Sequence, residues 1–390
     1  MSMTDRVLIT GARAAAALDL ARDFRRAGFE VHMADCAKAR ISRWSRAPAC
    51  FHTYASPVTE PMRFRADIAG ILRDVDPVLV IPTCEEVFHL AMPPLAAMLG
   101  ERLFAPPLET LRSLHDKAAF AQSCAGLGLP IPETHRLTGD DHVHEYAGTS
   151  AEWVFKACFS RFGGGTRISP NPAALRRIRP TAEAPWIAQR RIFGEEASFY
   201  AVAQAGRVVA FAAYGAKWRL AGGAGMSFDP VTPPTAALLA ELAGGLAGAF
   251  SITGQFACDA IIDPGGRPWL IECNPRATSG LHLLVGSGDL ARAIRDPDAP
   301  PAVAGSGSRH LLPAMLTFGL VQALTRRRLR QWWAQVRNGS DVAGVPGDRR
   351  PVAGALMDGI GFMAKGAMRG ISTPAAATAD MEWNGRNPRG

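Results

Sequence analysis

The sequence has 390 residues, enough for two or three units that each bury a core. Apolar residues make up 48% and charged residues 20%, which excludes a largely disordered chain. With 43 basic and 35 acidic residues the net charge is +8, which suits an anionic ligand, but the charge is spread too thinly to predict nucleic acid as a partner.

Cysteine usage and hydropathy predict a cytoplasmic protein. The seven cysteines stand singly, without the paired spacing of a metal site, as expected in a reducing compartment. No signal peptide is expected before Val7. The apolar stretch 352–371 carries Asp358, Lys365, Arg369 and five glycines, so no stable membrane insertion is predicted.

The first unit, residues 1–105, is predicted to be an α/β domain with a Rossmann-like parallel sheet. Apolar strand-like runs at 6–10, 30–35, 77–83 and 102–105 alternate with helix-like runs, the last of them at 85–99. This rhythm is typical of βαβ units, whose right-handed crossovers make neighbouring strands parallel.

The turn after the first strand tests whether this unit binds a dinucleotide. Gly11-Ala12-Arg13 keeps only the first glycine of the G-x-G-x-x-G fingerprint, and Arg13 occupies the position where a Cβ would meet the pyrophosphate. Asp35, at the end of the next strand, would be the ribose partner, but the missing glycines remove the phosphate site. Arg13 is instead a candidate contact for an acceptor substrate.

Two glutamates follow the strand at 77–83. Glu85 and Glu86 stand at the carboxyl edge, where parallel sheets bind ligands, and are candidate substrate contacts. The alternative is that they favour the following helix N-terminus through its dipole. Both interpretations stay open.

An α+β pattern follows the break at residues 105–111. A helical stretch contains Lys117, a strand at 152–159 contains Lys156, and a glycine-rich loop follows at 160–166. Residues 185–218 form a long β-rich segment. Residues 255–276 are two alternating apolar runs about an Asp-Pro-Gly-Gly turn, which predicts a hairpin.

This hairpin carries the clearest chemical signal. Counting from its turn places Asp259 and Glu272 almost opposite each other, while Glu272 and Asn274 share a face and Cys273 points away. Two carboxylates and an amide oxygen on one face would repel each other without a cation between them. Such hard oxygen ligands suit Mg²⁺ or Mn²⁺ bridging nucleotide phosphates.

Taken with its neighbours, the Glu272-Cys-Asn-Pro-Arg276 segment resembles the end of the core strands in the ATP-grasp superfamily. The resemblance covers residues 106–285 in the expected order, and it looks nearest to carboxylate–amine ligases and carbamoyl-phosphate-synthetase-like enzymes. It implies a Rossmann-like domain (1–105), a two-subdomain ATP-grasp module (106–185 and 186–300, the second holding the metal hairpin) and a basic, partly helical C-terminal extension (301–390).

The resemblance also implies residue roles in binding ATP. Lys117 and Lys156 match the lysines that contact phosphate, and Gly163, Gly164 and Gly165 match the loop that folds over it. The hinge strand that contacts adenine matches residues Gln189, Arg190, Arg191 and Ile192. Glu196 matches the acid that binds the ribose hydroxyls, although the family more often has an acidic residue where this sequence has Gln189.

The implied activity is ATP-dependent ligation of a carboxylate to an amine through an acyl phosphate, with ADP formed. Lys217 and Arg219 resemble the basic residues that reach the γ-phosphate, and Arg276 is the candidate for stabilising the tetrahedral oxyanion. Bicarbonate as the acid, as in carboxylases and carbamoyl-phosphate-type enzymes, is one alternative. A non-catalytic ATP-binding regulator is another.

Three features leave their interpretation open. His282 either faces the acceptor substrate or is a core histidine with satisfied partners. A basic helix is predicted at 320–336, followed by a glycine-rich tail. Its stretch 325–333 is either a solvated face with inward tryptophans or a surface for an anionic partner. A homodimer is the expectation for the assembly, because dimers are the commonest soluble oligomers.

Overall fold

The computed structural model of the chain describes residues 4–160, 165–220 and 223–385. Within these ranges three β-sheets follow one another, with four, four and eight strands. Among the helices of the described ranges, none combines the length and the apolar character needed to cross a membrane.

A four-stranded parallel sheet begins the chain and confirms the predicted parallel pairing. The strand order is β3-β2-β1-β4, and Leu8 and Ile9 of the central strand are fully buried on opposite faces. The elements of this unit are β1 (Arg6–Thr10), α1 (Ala15–Arg26), β2 (Glu30–Asp35), α2 (Arg40–Arg43), β3 (Cys50–Thr53), α3 (Pro61–Val75), β4 (Leu79–Pro82), α4 (Glu86–Leu90), α5 (Leu95–Leu99) and a 3₁₀ turn at Gly100–Arg102.

The second unit is a small antiparallel sheet of order β5-β8-β6-β7. Its elements are α6 (Leu108–His115), α7 (Lys117–Gly126), β5 (Thr134–Leu137), α8 (Asp140–His144), a 3₁₀ turn (Ser150–Glu152), β6 (Trp153–Ala157), β7 (Arg167–Ile168), α9 (Pro172–Leu175) and β8 (Trp186–Arg190). Helix α7 begins at Lys117 because the Asp116 side chain caps it, accepting from the N–H groups of Ala118 and Ala119 at 2.9 and 3.3 Å.

The third unit contains the largest sheet, whose order is β13-β12-β9-β10-β11-β15-β16, with β14 added beside β10. Its elements are β9 (Glu195–Gln204), β10 (Arg207–Gly215), β11 (Ser227–Pro230), α10 (Pro233–Ala249), β12 (Gly254–Ile262), β13 (Pro268–Asn274), a 3₁₀ turn (Ser279–Leu283), α11 (Asp289–Arg295), β14 (Ala302–Val303), β15 (Arg309–His310) and β16 (Ser340–Asp341).

Strand β9 joins two hydrophobic cores because its side chains alternate between the faces of the sheet. Phe199 and Ala201 pack in one core with Leu246 of α10. Tyr200 and Val202, on the other face, pack in a core that also contains residues of the N-terminal sheet and of α1. The third unit therefore packs directly against the first through this shared core.

The C-terminal residues form a set of helices that returns to the N-terminal unit: α12 (Leu312–Ala314), a π-helical turn (Met315–Gly319), α13 (Leu320–Thr325), α14 (Leu329–Asn338), α15 (Arg350–Arg369) and α16 (Thr373–Thr378). Helix α15 packs on α2 at Gly354, where a Cβ would lie only 2.4 Å from the Arg40 carbonyl oxygen. Beyond α16, Trp383 is buried and stacks on Phe88 with ring centroids 4.6 Å apart.

Several predicted elements differ from the structure. The single basic helix expected at 320–336 is two helices, because the chain turns at Arg327, which has a left-handed φ of 53°. The helix expected at 85–99 is divided at Pro93-Pro94, and the strand expected at 102–105 is reduced to a single bridge between Leu103 and Val80. The glycine-rich tail contains the 20-residue helix α15.

The C-terminal extension is not purely helical. Strands β14, β15 and β16 lie beyond residue 300 and belong to the third sheet, so the proposed limit at 300 divides that sheet. The other domain limits stay predictions.

Candidate functional site

The predicted hairpin of β12 and β13 forms the centre of the site. Asp259 pairs directly with Glu272, which confirms the predicted arrangement. A register shift follows Asp259, whose neighbour Ala260 pairs with Leu270, so Ile271 is the extra residue of a bulge. Cys273 is buried in the core while Asn274 is half-buried, as the alternation requires.

The two carboxylates perturb each other strongly. Burial and the negative charge of Glu272 raise the pKa of Asp259, although Ser198 donates a hydrogen bond to it at 2.6 Å. Burial also disfavours the ionised form of Glu272, but Lys117 and Lys156 outweigh it and lower the pKa of that carboxyl. Two carboxylates that face each other across the hairpin offer oxygen ligands of the kind that divalent cations bind, and a cation would favour the ionised form of Asp259.

The two predicted phosphate-binding lysines lie beside this carboxylate pair. Both are nearly buried, with Lys117 at 5% and Lys156 at 7% exposure. The Lys117 ammonium is 3.4 Å from Glu272 and donates to the Ser160 carbonyl at 3.1 Å. Burial lowers the pKa of Lys156, against the opposing charge of Glu272. Two lysines, one from α7 and one from β6, thus converge on the two carboxylates of the hairpin.

Strand β8 presents one predicted residue to Lys156 and turns its neighbours away. Gln189 is buried, accepts from the Lys156 ammonium at 3.1 Å and donates to the Thr134 hydroxyl at 3.1 Å. Arg190 instead pairs with Glu152 at 2.7 Å. Arg191 donates to Ser169 and lies over the Phe193 ring. Ile192 follows the strand and is half-buried.

Two predicted nucleotide contacts pair with each other. Arg219 lies 2.9 Å from Glu196, and it also donates to the Ala216 and Gly223 carbonyls. Lys217 is exposed and makes no ion pair with any residue in the described ranges. Gly163 and Gly164 lie outside the described residues. Gly165 has a φ of 77°, the left-handed conformation that favours glycine.

Arg276 connects the hairpin to the N-terminal unit. It donates to the Asn274 amide oxygen at 3.2 Å, and its Nε is 3.9 Å from the Glu85 carboxylate. Glu85 is buried and also accepts a hydrogen bond from the backbone N–H of Trp383 at 3.1 Å. The structure therefore brings Glu85 to the edge of the hairpin, together with the C-terminal segment.

The other predicted substrate contacts are engaged inside the protein. Glu86 is fully buried and its Oε1 accepts from the Thr10 hydroxyl at 2.8 Å. Arg13 is held by Asp35 and Asp380. His282 is buried, bonds the Asp19 carboxylate at 2.8 Å and stacks on Phe228. The contacts of His282 match the alternative of a core histidine with satisfied partners, and none of these contacts ties Glu86, Arg13 or His282 to the hairpin.

Two contributors were missed by sequence reasoning. Ser198 stands opposite Asp259 in the register of β9 and β12, so a correct strand pairing would have revealed it. The return of Trp383 to Glu85 spans 298 residues and has no local signal. Trp383, Phe159 and Asp116 also line a cavity of about 440 Å³. No residue of the hairpin lines this cavity.

The comparisons with known proteins rest on structure alone. No protein-family model matches the sequence, and no curated protein sequence matches it. The fold is similar to that of N5-carboxyaminoimidazole synthetase from Staphylococcus aureus, solved as a complex with ADP, with a TM-score of 0.64, 12% identity and coverage of 83% of this chain and 87% of that one.

Two further solved structures have a fold similar to that of this chain. Phosphoribosylamine–glycine ligase from Thermotoga maritima has a TM-score of 0.60 and 16% identity, covering 78% of each chain. L-amino acid ligase from Bacillus licheniformis has a TM-score of 0.60 and 14% identity, covering 79% of this chain and 80% of that one. At 12–16% identity these likenesses show a shared fold, which is the fold that the resemblance to the ATP-grasp superfamily implies.

Proposed function

We propose that the protein is an ATP-dependent carboxylate–amine ligase that forms an amide bond, ADP and phosphate through an acyl phosphate. One observation carries this proposal: the Asp259–Glu272 pair, with Lys117 3.4 Å from Glu272 and Lys156 buried nearby. Clustered oxygen ligands and lysines are what phosphoryl transfer requires, because its catalysis depends on positioning and charge stabilisation.

The donor set suits a hard divalent cation. Asp259, Glu272 and Asn274 would hold Mg²⁺ or Mn²⁺, which when bound supplies positive charge to the phosphate oxygens of ATP. Burial and the charge of Glu272 raise the pKa of Asp259, so a cation held between the two carboxylates would favour its ionised form. The ADP of the Staphylococcus aureus neighbour is in keeping with a nucleotide at this fold's cleft.

The first chemical step is attack by a carboxylate oxygen of the acid substrate on the γ-phosphorus, which breaks the bond to the ADP oxygen. Lys117 and Lys156 offset the charge of the phosphate oxygens, since a buried ammonium is a compact cation. Lys217 and Arg219 reach the γ-phosphate from the third unit. Glu196 accepts from the ribose hydroxyls, and the backbone of residues 189–192 contacts adenine.

The second step is attack by the amine on the acyl carbon. The amine loses a proton, phosphate leaves, and the amide bond remains. Arg276 stabilises the tetrahedral oxyanion, because it follows the metal-binding strand and its guanidinium lies beside Asn274. Glu85, 3.9 Å from Arg276, orients that guanidinium and borders the acceptor side of the cleft.

The test is an ADP-release screen over pairs of amino acids and amines, with the product identified by mass spectrometry. For an active pair, Glu272→Gln is expected to reduce ATP turnover by about 10² or more, by analogy with other charge-stabilising groups. Glu241→Gln on the exposed face of α10 is the matched control and should retain full turnover. Full turnover in Glu272→Gln would contradict the metal assignment.

Two other outcomes would replace the proposed reaction. ADP formation that needs bicarbonate rather than an organic acid would indicate a carboxylase or carbamoyl-phosphate-type enzyme. Magnesium-dependent thermal stabilisation by ATP without ADP formation under any pair would indicate a non-catalytic nucleotide-binding protein.

A further inference from the structure

Two histidines and a cysteine meet on the N-terminal sheet, among residues that the proposed reaction does not use. His32 lies on β2, and Cys50 and His52 lie on β3, the edge strand. The parallel register pairs His32 with Cys50, and residues 50 and 52 point to the same face of their strand. All three side chains therefore share one face of the sheet.

Their ligand atoms are close enough for one metal ion. His32 Nδ1 and His52 Nε2 are 2.9 Å apart, and the nearest available atoms of the three residues all lie within 4.8 Å of one another. Both histidines are half-buried and Cys50 is exposed, so an ion could enter from solvent. Imidazole nitrogen and thiolate sulfur are ligands that zinc-class metals prefer over Mg²⁺.

A second layer of contacts orients the first histidine. Glu30 Oε1 accepts from His32 Nε2 at 2.9 Å, and Arg6 Nε holds the same carboxylate at 3.2 Å. A proton on Nε2 leaves the lone pair of His32 Nδ1 facing His52 and Cys50. A carboxylate behind a metal-binding histidine is the usual arrangement in such sites, because it fixes the tautomer and raises the basicity of the ligand.

We propose that His32, Cys50 and His52 bind one divalent zinc-class ion, with a fourth position open to water. Binding breaks the hydrogen bond between the two imidazoles, and the rings tilt so that both lone pairs meet at the ion. The Cys50 thiol releases one proton to solvent, and the His52 proton moves from Nε2 to Nδ1. The ion joins the edge strand β3 to β2.

The experiment uses Co²⁺ as a spectroscopic probe on the full-length protein after treatment with a chelator. The expected result is one equivalent bound, with a thiolate-to-Co²⁺ charge-transfer band in the near ultraviolet and a raised Tm. Cys50→Ser should abolish the band, and His32→Ala or His52→Ala should weaken binding at least about tenfold.

Two controls separate this site from adventitious binding. His144→Ala, in an exposed position of α8, should leave the titration unchanged. Cys50→Ser replaces an exposed side chain, so its unfolding midpoint in chelator should equal that of the wild type. A titration without the charge-transfer band, or one that Cys50→Ser and His32→Ala leave unaltered, would overturn the proposal.

A second observation concerns the outer face of α13, α14 and the π-helical turn, which we call the helical face. It is defined by six apolar side chains that are 45–60% exposed: Leu316, Phe318, Val321, Leu324, Leu329 and Trp333. The inner residues Met315, Ala323 and Trp332 pack on Trp218 and Met226, so the hairpin of helices already buries its other face.

The charge of this segment is entirely positive. No Asp or Glu occurs between Asp298 and Asp341, and Arg326, Arg327 and Arg330 are exposed beside the apolar residues. A two-fold contact with a second copy would set these arginines against equal charges. Apolar side chains flanked by arginines are typical of helices that lie on anionic lipid surfaces.

We infer that the helical face binds an anionic membrane surface peripherally. The experiment is cosedimentation with vesicles of phosphatidylcholine containing phosphatidylserine. Binding should fall about 25-fold in Arg326→Ser/Arg327→Ser, at about fivefold for each arginine. Leu324→Glu/Trp333→Glu should abolish it, while the control Val303→Glu, at an isolated side chain 85% exposed, should not change it.

Other occupants would give different results. Equal binding to pure phosphatidylcholine would exclude recognition of anionic lipid. A dimer in solution that Leu324→Glu/Trp333→Glu converts to a monomer would show that the helical face is an interface between copies. Either result overturns the inference.

Discussion

Removing the Arg13 guanidinium should loosen the C-terminal segment from the N-terminal sheet. The side chain is 5% exposed, lies 2.5 Å from both Asp35 and Asp380, and donates to the Ala377 carbonyl at 2.7 Å. In Arg13→Ala the fully buried Asp35 loses its cation, whereas Asp380 keeps Lys365 at 3.1 Å. Breaking a buried pair by removing one partner destabilises by about 3–5 kcal/mol, and we expect Arg13→Ala to fall in that range.

The assay is urea unfolding followed by tryptophan fluorescence, together with KM measurements for an active substrate pair. The control is Arg26→Ala, which replaces an exposed arginine at the end of α1 and should change stability by no more than about 0.5 kcal/mol. Equal stability of the two variants, or a higher substrate KM in Arg13→Ala at unchanged stability, would refute this reasoning and assign Arg13 to substrate binding.

Three further predictions follow from particular contacts. Gly354→Ala should lower the unfolding midpoint, because its Cβ would meet the Arg40 backbone, whereas Gly359→Ala, which meets nothing within 4 Å on the same helix, should raise stability by about 0.5–1 kcal/mol. Gln189→Leu should raise the KM for ATP about tenfold or more, measured against an unchanged KM for the amine, because the Lys156 ammonium loses its acceptor. Burial alone would raise the pKa of Asp380, but Arg13 and Lys365 hold it below its ordinary value. The ionised Asp380 side chain therefore contributes its full stabilisation above about pH 4, and this stabilisation is lost as the pH falls through the folded-state pKa. Unfolding midpoints measured from about pH 6 to about pH 3 should show a smaller loss of stability in acid for Asp380→Asn than for the wild type.

Local pattern was sufficient for the elements with a strong periodic signal. The hairpin at 255–276 has both an alternating apolar pattern and a turn in which Asp263 accepts from the Gly265 and Arg267 N–H groups, so its register follows from its own residues. Helix α15 has no such local reason. Its glycines disfavour a helix in isolation, and it is stabilised by packing against α2 at Gly354 and against α16.

The same distinction separates the predictable part of the site from the rest. Strand alternation and pairing are short-range, so they locate Asp259, Glu272 and Asn274 on one hairpin. Arg13 and His282 are polar residues beside a predicted cleft, which is also what a buried ion pair looks like in sequence. Asp380, which pairs with Arg13, and Asp19, which pairs with His282, lie 367 and 263 residues away, and such distant contacts leave no periodic signal. Asp35, the other partner of Arg13, is only 22 residues away, at the end of β2. The cluster at His32 escaped detection for a related reason, since its ligands come from two strands and not from one short motif.

The C-terminal segment is coupled to the candidate site through Glu85. One oxygen of this buried carboxylate lies 3.9 Å from Arg276 Nε, and the other accepts from the backbone N–H of Trp383 at 3.1 Å. The position of the Arg276 guanidinium therefore depends on a residue from the first unit that is itself held by the end of the chain. Because Trp383 also stacks on Phe88 and contacts the Phe159 ring just before the glycine-rich loop, the tail touches both sides of the proposed cleft. A segment that no local sequence signal ties to this site is thus linked, through Glu85, to Arg276, the arginine to which we assign the second step of the proposed reaction.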